Sequence, residues 1–126
     1  MARSTAYDDY PDHTLTFDDA PATLRVRVGD TVIAETRRGL TLREGRYPPV
    51  VYVPREDCAM DRLPRVAHST HCPFKGDASY FDFADEGSNR VEQVAWSYED
   101  PFDQMEALRD HLAFYADRVT LDANED

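Results

Sequence analysis

Cys58, His68, His71 and Cys72 together make the inventory of a zinc site. Their spacing argues against one. Structural zinc favours closely paired ligands such as Cys-x-x-Cys, and adjacent His71 and Cys72 point to opposite sides of an extended chain. No metal and no cofactor are therefore expected. The same stretch can also be read as catalytic, with His71 as general acid or base and Cys72 or Lys75 as nucleophile. Against that stands the commoner fate of a free cysteine, a small buried thiol.

Other polar groups suit binding. Lys75-Gly76-Asp77 combines a cation with a flexible backbone and can hold one phosphate or carboxylate; it is equally a solvated turn. Arg38 can meet an anionic ligand or one of the chain's own carboxylates. Arg55 and Asp57 are close enough to brace each other in a loop. Tyr52, Tyr80, Phe81, Trp96 and Tyr98 supply aromatic walls whose polar tips need partners when buried. No Gly-x-Ser-x-Gly elbow and no phosphate-cradling glycine loop is present. The chemistry-bearing residues crowd into two segments read as loops, Pro48 to Asp61 and Ser69 to Tyr80.

Mostly strands must position them. Leu24, Val26 and Val28 alternate with Arg25 and Arg27, the period of a half-buried strand. Gly29-Asp30 then suits a two-residue type II′ hairpin into Thr31 to Thr36. Leu40 to Glu44, Val50 to Val53 and Ala78 to Phe83 read as further strands, with proline bracketing the second. Arg90 to Tyr98 breaks its alternation, which points to a bulge near Gln93. Leu63 to Thr70 reads as irregular. Phe102, Met105, Leu108, Leu112 and Tyr115 recur at three and four residues behind Asp100-Pro101, which predicts a C-terminal α-helix packed on the sheet.

Composition sets the limits. The 126 residues suit one domain with one ordinary core. The ordered region is expected over 13–121, with a loose tail at 1–12 and a frayed acidic end at 122–126. The net charge of −11 disfavours nucleic acid and anionic membrane, because binding there rests on basic side chains. No run approaches the roughly 20 apolar residues of a membrane helix. The acidic N-terminal stretch lacks the apolar core of a secretory signal. Two unpaired cysteines fit a cytoplasmic setting.

Two runs carry a resemblance. Tyr47-Pro48-Pro49-Val50-Val51-Tyr52-Val53-Pro54-Arg55-Glu56-Asp57 and Thr70-His71-Cys72-Pro73-Phe74-Lys75-Gly76-Asp77-Ala78-Ser79-Tyr80 resemble the two hallmark stretches of the family catalogued as domain of unknown function number 427. Ala95-Trp96-Ser97-Tyr98 before Pro101 and Ala113-Phe114-Tyr115 before Arg118-Val119 add to it. Cys58 departs from the pattern, where an apolar residue is usual. The resemblance implies a β-tent, two small antiparallel sheets meeting at an angle, as in type B methionine sulfoxide reductases and the ligand-binding domain of cereblon. Those proteins commonly hold zinc through Cys-x-x-Cys pairs, which this chain lacks. The family is sometimes labelled nucleotidyltransferase-like. Such enzymes need Gly-Ser followed by an Asp-x-Asp metal pair, and Asp82 and Asp85 are spaced wrongly for that.

The resulting expectation is a mainly β domain, a β-tent of two small antiparallel sheets with one C-terminal α-helix. Its function would be to bind a small molecule in an aromatic pocket between the sheets. Tyr52, Tyr80 and Trp96 would wall that pocket, and Arg38, Arg55, Asp57, His71, Lys75 and Asp77 would line its mouth. A small enzyme and an acidic protein-interaction module are the alternatives.

Overall fold

The structure is a computed structural model and describes residues 2–20 and 22–124. Ten strands form two antiparallel sheets. In chain order they are β1 (Leu15–Asp19), β2 (Thr23–Val28), β3 (Thr31–Thr36), β4 (Leu40–Glu44), β5 (Val50–Pro54), β6 (Arg65–Cys72), β7 (Gly76–Ala84), β8 (Arg90–Ser97), β9 (His111–Phe114) and β10 (Thr120–Asn124). The larger sheet runs β1-β4-β5-β9-β8-β7-β6 and the smaller β10-β2-β3. No helix among the described residues is long and apolar enough to cross a membrane.

The large sheet has two differently covered faces. Alternation sends Val53, Phe81, Leu112 and Phe114 to one side, where they meet Leu24, Val26 and Ile33 of the small sheet in one buried cluster. Tyr52, Tyr80 and Ala113, their chain neighbours, face the other way and form a second cluster with Tyr98, Met105 and Leu108. Much of the space between the sheets is thus filled by packed apolar side chains, and Leu24 and Leu121 of the small sheet line a cavity of about 290 Å³ with Val51 and Phe114 of the large one. The aromatic surface expected there lies on the far face of the large sheet.

Two local expectations hold. β2 and β3 turn at Gly29-Asp30, with Val28 opposite Thr31 and Gly29 at φ +57°. Only glycine takes that φ at little steric cost. In β8, Gln93 has φ +45°, and the β7–β8 register shifts between Phe81 and Phe83. The buried Asp82 holds this bulge: its Oδ1 accepts the Gln93 N–H at 2.8 Å and its Oδ2 accepts the Arg90 guanidinium.

The C-terminal helix is not found. Asp103–Leu108 is a 3-10 segment kinked at Met105, Asp110 turns the chain at φ +60°, and His111–Phe114 is a strand. The apolar stripe hid a period of two, Leu112 and Phe114 against Ala113. Burial of all three, and backbone pairing to β5 on one side and β8 on the other, outweigh the helical spacing.

Three smaller expectations also change. Residues 63–70 are not irregular, because β6 is an edge strand paired only to β7 and exposed along most of its length. Such a strand needs no apolar alternation. The segment taken as a loose tail carries a short helix α1 (Ala6–Asp9), and Ser4 and Ala6 are buried. Asp122 to Asn124 pair with β2 rather than fray, and 125–126 lie outside the described residues.

Replacing Asp82 by alanine should cost about 2 kcal/mol, the scale of hydrogen bonds to a charged group. Arg90→Ala should cost clearly less, because the guanidinium is largely exposed. Urea midpoints of the two variants check the order.

Candidate functional site

Tyr52, Lys75, Tyr80 and Trp96 line one cavity on the far face of the large sheet, with Leu42, Glu44, Val50, Tyr98 and Tyr115 beside them. Its volume is about 190 Å³. The sheet register explains the grouping. Trp96 of β8 is opposite Tyr80 on β7 and Ala113 on β9. Continuing the β5–β9 register by one residue brings Tyr52 level with Ala113 as well. Over that small methyl the two aromatic side chains reach each other: the Trp96 indole N–H donates to the Tyr52 hydroxyl at 3.2 Å, with the rings edge to face. Tyr115 lies against Trp96 at 4.5 Å, and the Tyr80 hydroxyl pairs with Thr70 Oγ1 at 2.7 Å.

A cation closes one side. Lys75 Nζ donates to Glu44 Oε1 at 2.6 Å, and the two side chains are only 14% and 18% exposed. Glu44 Oε2 bonds His13 Nε2 at 2.8 Å. Burial pushes the Glu44 carboxyl up, but the hydrogen bonds from Lys75 and His13 outweigh it and hold the pKa below its ordinary value. The Lys75 ammonium also sits 5.6 Å from the centre of the Tyr98 ring. Burial, above all, raises Tyr52 and Tyr98, so both hydroxyls keep their protons.

The N-terminal segment fixes the turn that carries Lys75. Ser4 Oγ donates to the Pro73 carbonyl at 2.5 Å and the Tyr7 hydroxyl to the Phe74 carbonyl at 2.8 Å. His13 stacks on Phe74 at 4.2 Å, and Tyr7 meets the same ring edge-on. Gln104 clasps the Ser4 backbone through both its N–H and its C=O. Two consecutive residues, Pro73 and Phe74, are thereby held from outside their own hairpin.

The remaining predicted site residues lie elsewhere. Arg38 and Arg55 line a separate, open cleft of about 740 Å³, together with Pro54, Glu56, Cys58, Met60, Asp110 and His111. Arg55 and Asp57 do not brace each other. Arg55 pairs with Glu99 at 2.8 Å, whereas Asp57 accepts from Thr36 at 2.7 Å and from Arg38 at 3.1 Å. His71 and Asp77 form an exposed cross-strand pair at 2.7 Å. Cys72, the next residue along β6, packs into the second cluster on the other face, so His71 is not directed at it. Cys58 packs on the first cluster, with its thiol pushed up to about 12 by burial. The large sheet therefore separates the two cysteines, and the Cys58, His68, His71, Cys72 constellation does not assemble.

Asp82 holds the bulge, and Asp85 caps its own turn by accepting the Gly87 and Asn89 N–H groups. Both carboxylates are engaged structurally. Glu44, His13 and Tyr115 were missed as site residues, whereas Tyr98 was named among the aromatic walls. Glu44 left one signal: it follows Leu40 and Leu42 in alternation, a charge in line with an apolar face.

Glu99 is drawn down to about 2, first by its hydrogen bond with Arg65, against burial, with Ser79 and Arg55 adding to the effect. A depressed carboxylate stabilises the fold above its ordinary value of 4.5 and loses that contribution as pH falls towards about 2. Wild type should therefore exceed Glu99→Gln by about 1–2 kcal/mol at pH 7, with the gap closing on acidification. Urea melts at pH 7, 4 and 2.5 read this, and a constant gap would contradict it.

No curated protein matches the chain. A sequence model described as domain of unknown function (DUF427) matches residues 16–125, leaving the clasping segment before Thr16 outside the match. That match spans most of the chain, so this protein belongs to the DUF427 family.

Proposed function

We propose that this chain is a small-molecule-binding domain whose ligand occupies the aromatic cavity beside Lys75. The observation that carries the reading is the Lys75–Glu44 ion pair, nearly buried against a cavity walled by tyrosine and tryptophan. Removing two charges from water is costly, and a fold that needed only stability would do as well with apolar side chains there. Aromatic walls that meet a few convergent polar groups are a recurring feature of ligand sites. The volume, under the ~300 Å³ at which drug-sized sites begin, suits a small metabolite. The larger cleft is the weaker candidate, because it is open and its Arg38–Glu56 pair is solvent-exposed.

Two finer readings accompany this one. The halves of the large sheet meet through only two paired positions, Val53–Leu112 and Pro54–His111, which supports a tent-like bend at β5 and β9. The free thiols Cys58 and Cys72 support a reducing, cytoplasmic setting.

The test is thermal unfolding against a panel of organic acids, sugar phosphates, nucleotides and amines. A ligand at about 100 times its Kd should stabilise by roughly 2.7 kcal/mol, a shift of several degrees. Lys75→Gln should lower the basal Tm, because Glu44 loses a partner, and should also abolish the ligand-induced increment. Arg38→Ala should keep the increment. Retention of the full increment in Lys75→Gln would place the ligand elsewhere.

A further inference from the structure

The cavity's hydrogen-bonding inventory is lopsided. Trp96 gives its one N–H to the Tyr52 oxygen, which leaves the Tyr52 proton to donate. Among the described residues nothing hydrogen-bonds the Tyr98 hydroxyl, and the Lys75 ammonium lies 5.6 Å from the centre of that ring. Lys75 has three N–H donors and directs one at Glu44. Both Glu44 oxygens, the strongest acceptors at the site, are engaged by Lys75 and His13. What remains on offer to an occupant is mainly a set of donors, two tyrosine O–H groups and the further ammonium N–H groups, beside the lone pairs left on those hydroxyls and on Glu44. The walls add flat apolar surface, chiefly Trp96 stacked with Tyr115.

From this donor surplus, and resting on the binding reading above, we propose that the ligand is a small planar organic acid held through its carboxylate. Its two oxygens would accept from Lys75 and from the Tyr52 or Tyr98 hydroxyl, and its ring would lie against Trp96. Charge-assisted hydrogen bonds of this type are the strong ones. The Glu44 charge does not forbid a second carboxylate, because the Lys75 ammonium neutralises it. A cationic ligand would meet the Lys75 ammonium.

Benzoate, benzamide and benzylamine share one ring and differ in head group, so titrating the full chain with each isolates the chemistry. Benzoate should bind at least tenfold more tightly than benzamide, and benzylamine should not bind. Tyr52→Phe should weaken benzoate about tenfold and leave any benzamide affinity nearly unchanged. Preference for benzylamine, or equal affinity for all three, would overturn the carboxylate assignment while leaving a ligand-binding cavity standing. Failure of all three, together with no response across the thermal panel, would overturn both.

Discussion

Four residues hold the large sheet together. Among the described strands, β9, His111–Phe114, is the one that joins the β1-β4-β5 half to the β8-β7-β6 half. It is buried on both faces, with Leu112 and Phe114 locked into the inter-sheet core and Ala113 beneath the aromatic cavity. That double burial explains why an apolar stretch with helical spacing became a strand: a helix there would have left the inner edges of β5 and β8 without backbone partners. The same strand sets the site, because its one small inward residue lets Tyr52 and Trp96 approach each other across it. A larger side chain at Ala113 would enter the space that those two share.

The polar side of the cavity depends on a second, more distant constraint. An ion pair so little exposed is stable only when its geometry is held. The hairpin turn of β6 and β7 could not hold Lys75 alone. Ser4, Tyr7 and His13 grip Pro73 and Phe74, and His13 also completes the coordination of Glu44. The gripping segment lies before residues 16–125, the stretch that matches the family. Elsewhere charge serves the fold. Glu99 ties Arg55 to Arg65 beside the Phe81 ring, and Asp82 ties a bulge to its neighbouring strand.

What was legible in the sequence was local. The Gly29-Asp30 hairpin follows from alternation flanking a glycine, and the Gln93 bulge from alternation that fails. Tyr52, Lys75, Tyr80 and Trp96 were legible as a group, since they lie in runs rich in aromatic and polar residues. What was not legible depends on partners far along the chain. β6 has no apolar pattern because its exposed edge requires none. Ser4 and Pro73 are 69 residues apart, and nothing local marks their contact. The polar groups of the two hallmark runs separate for a related reason: neighbours on a strand face opposite ways, so His71 and Asp77 leave the face that Cys72 joins, and Arg38 and Arg55 border a different cleft.

Trp96 is the only tryptophan, so the protein has a single indole N–H resonance, and it reports from the cavity wall. The most direct measurement is an ¹H–¹⁵N spectrum recorded while titrating a compound that raises the unfolding temperature. If the ligand lies beside Lys75, the indole resonance moves along the binding isotherm and the backbone amides of Arg55 and His111 stay in place. A bound compound that moves Arg55 and His111 and leaves the indole resonance untouched would put the site in the larger cleft and contradict the account.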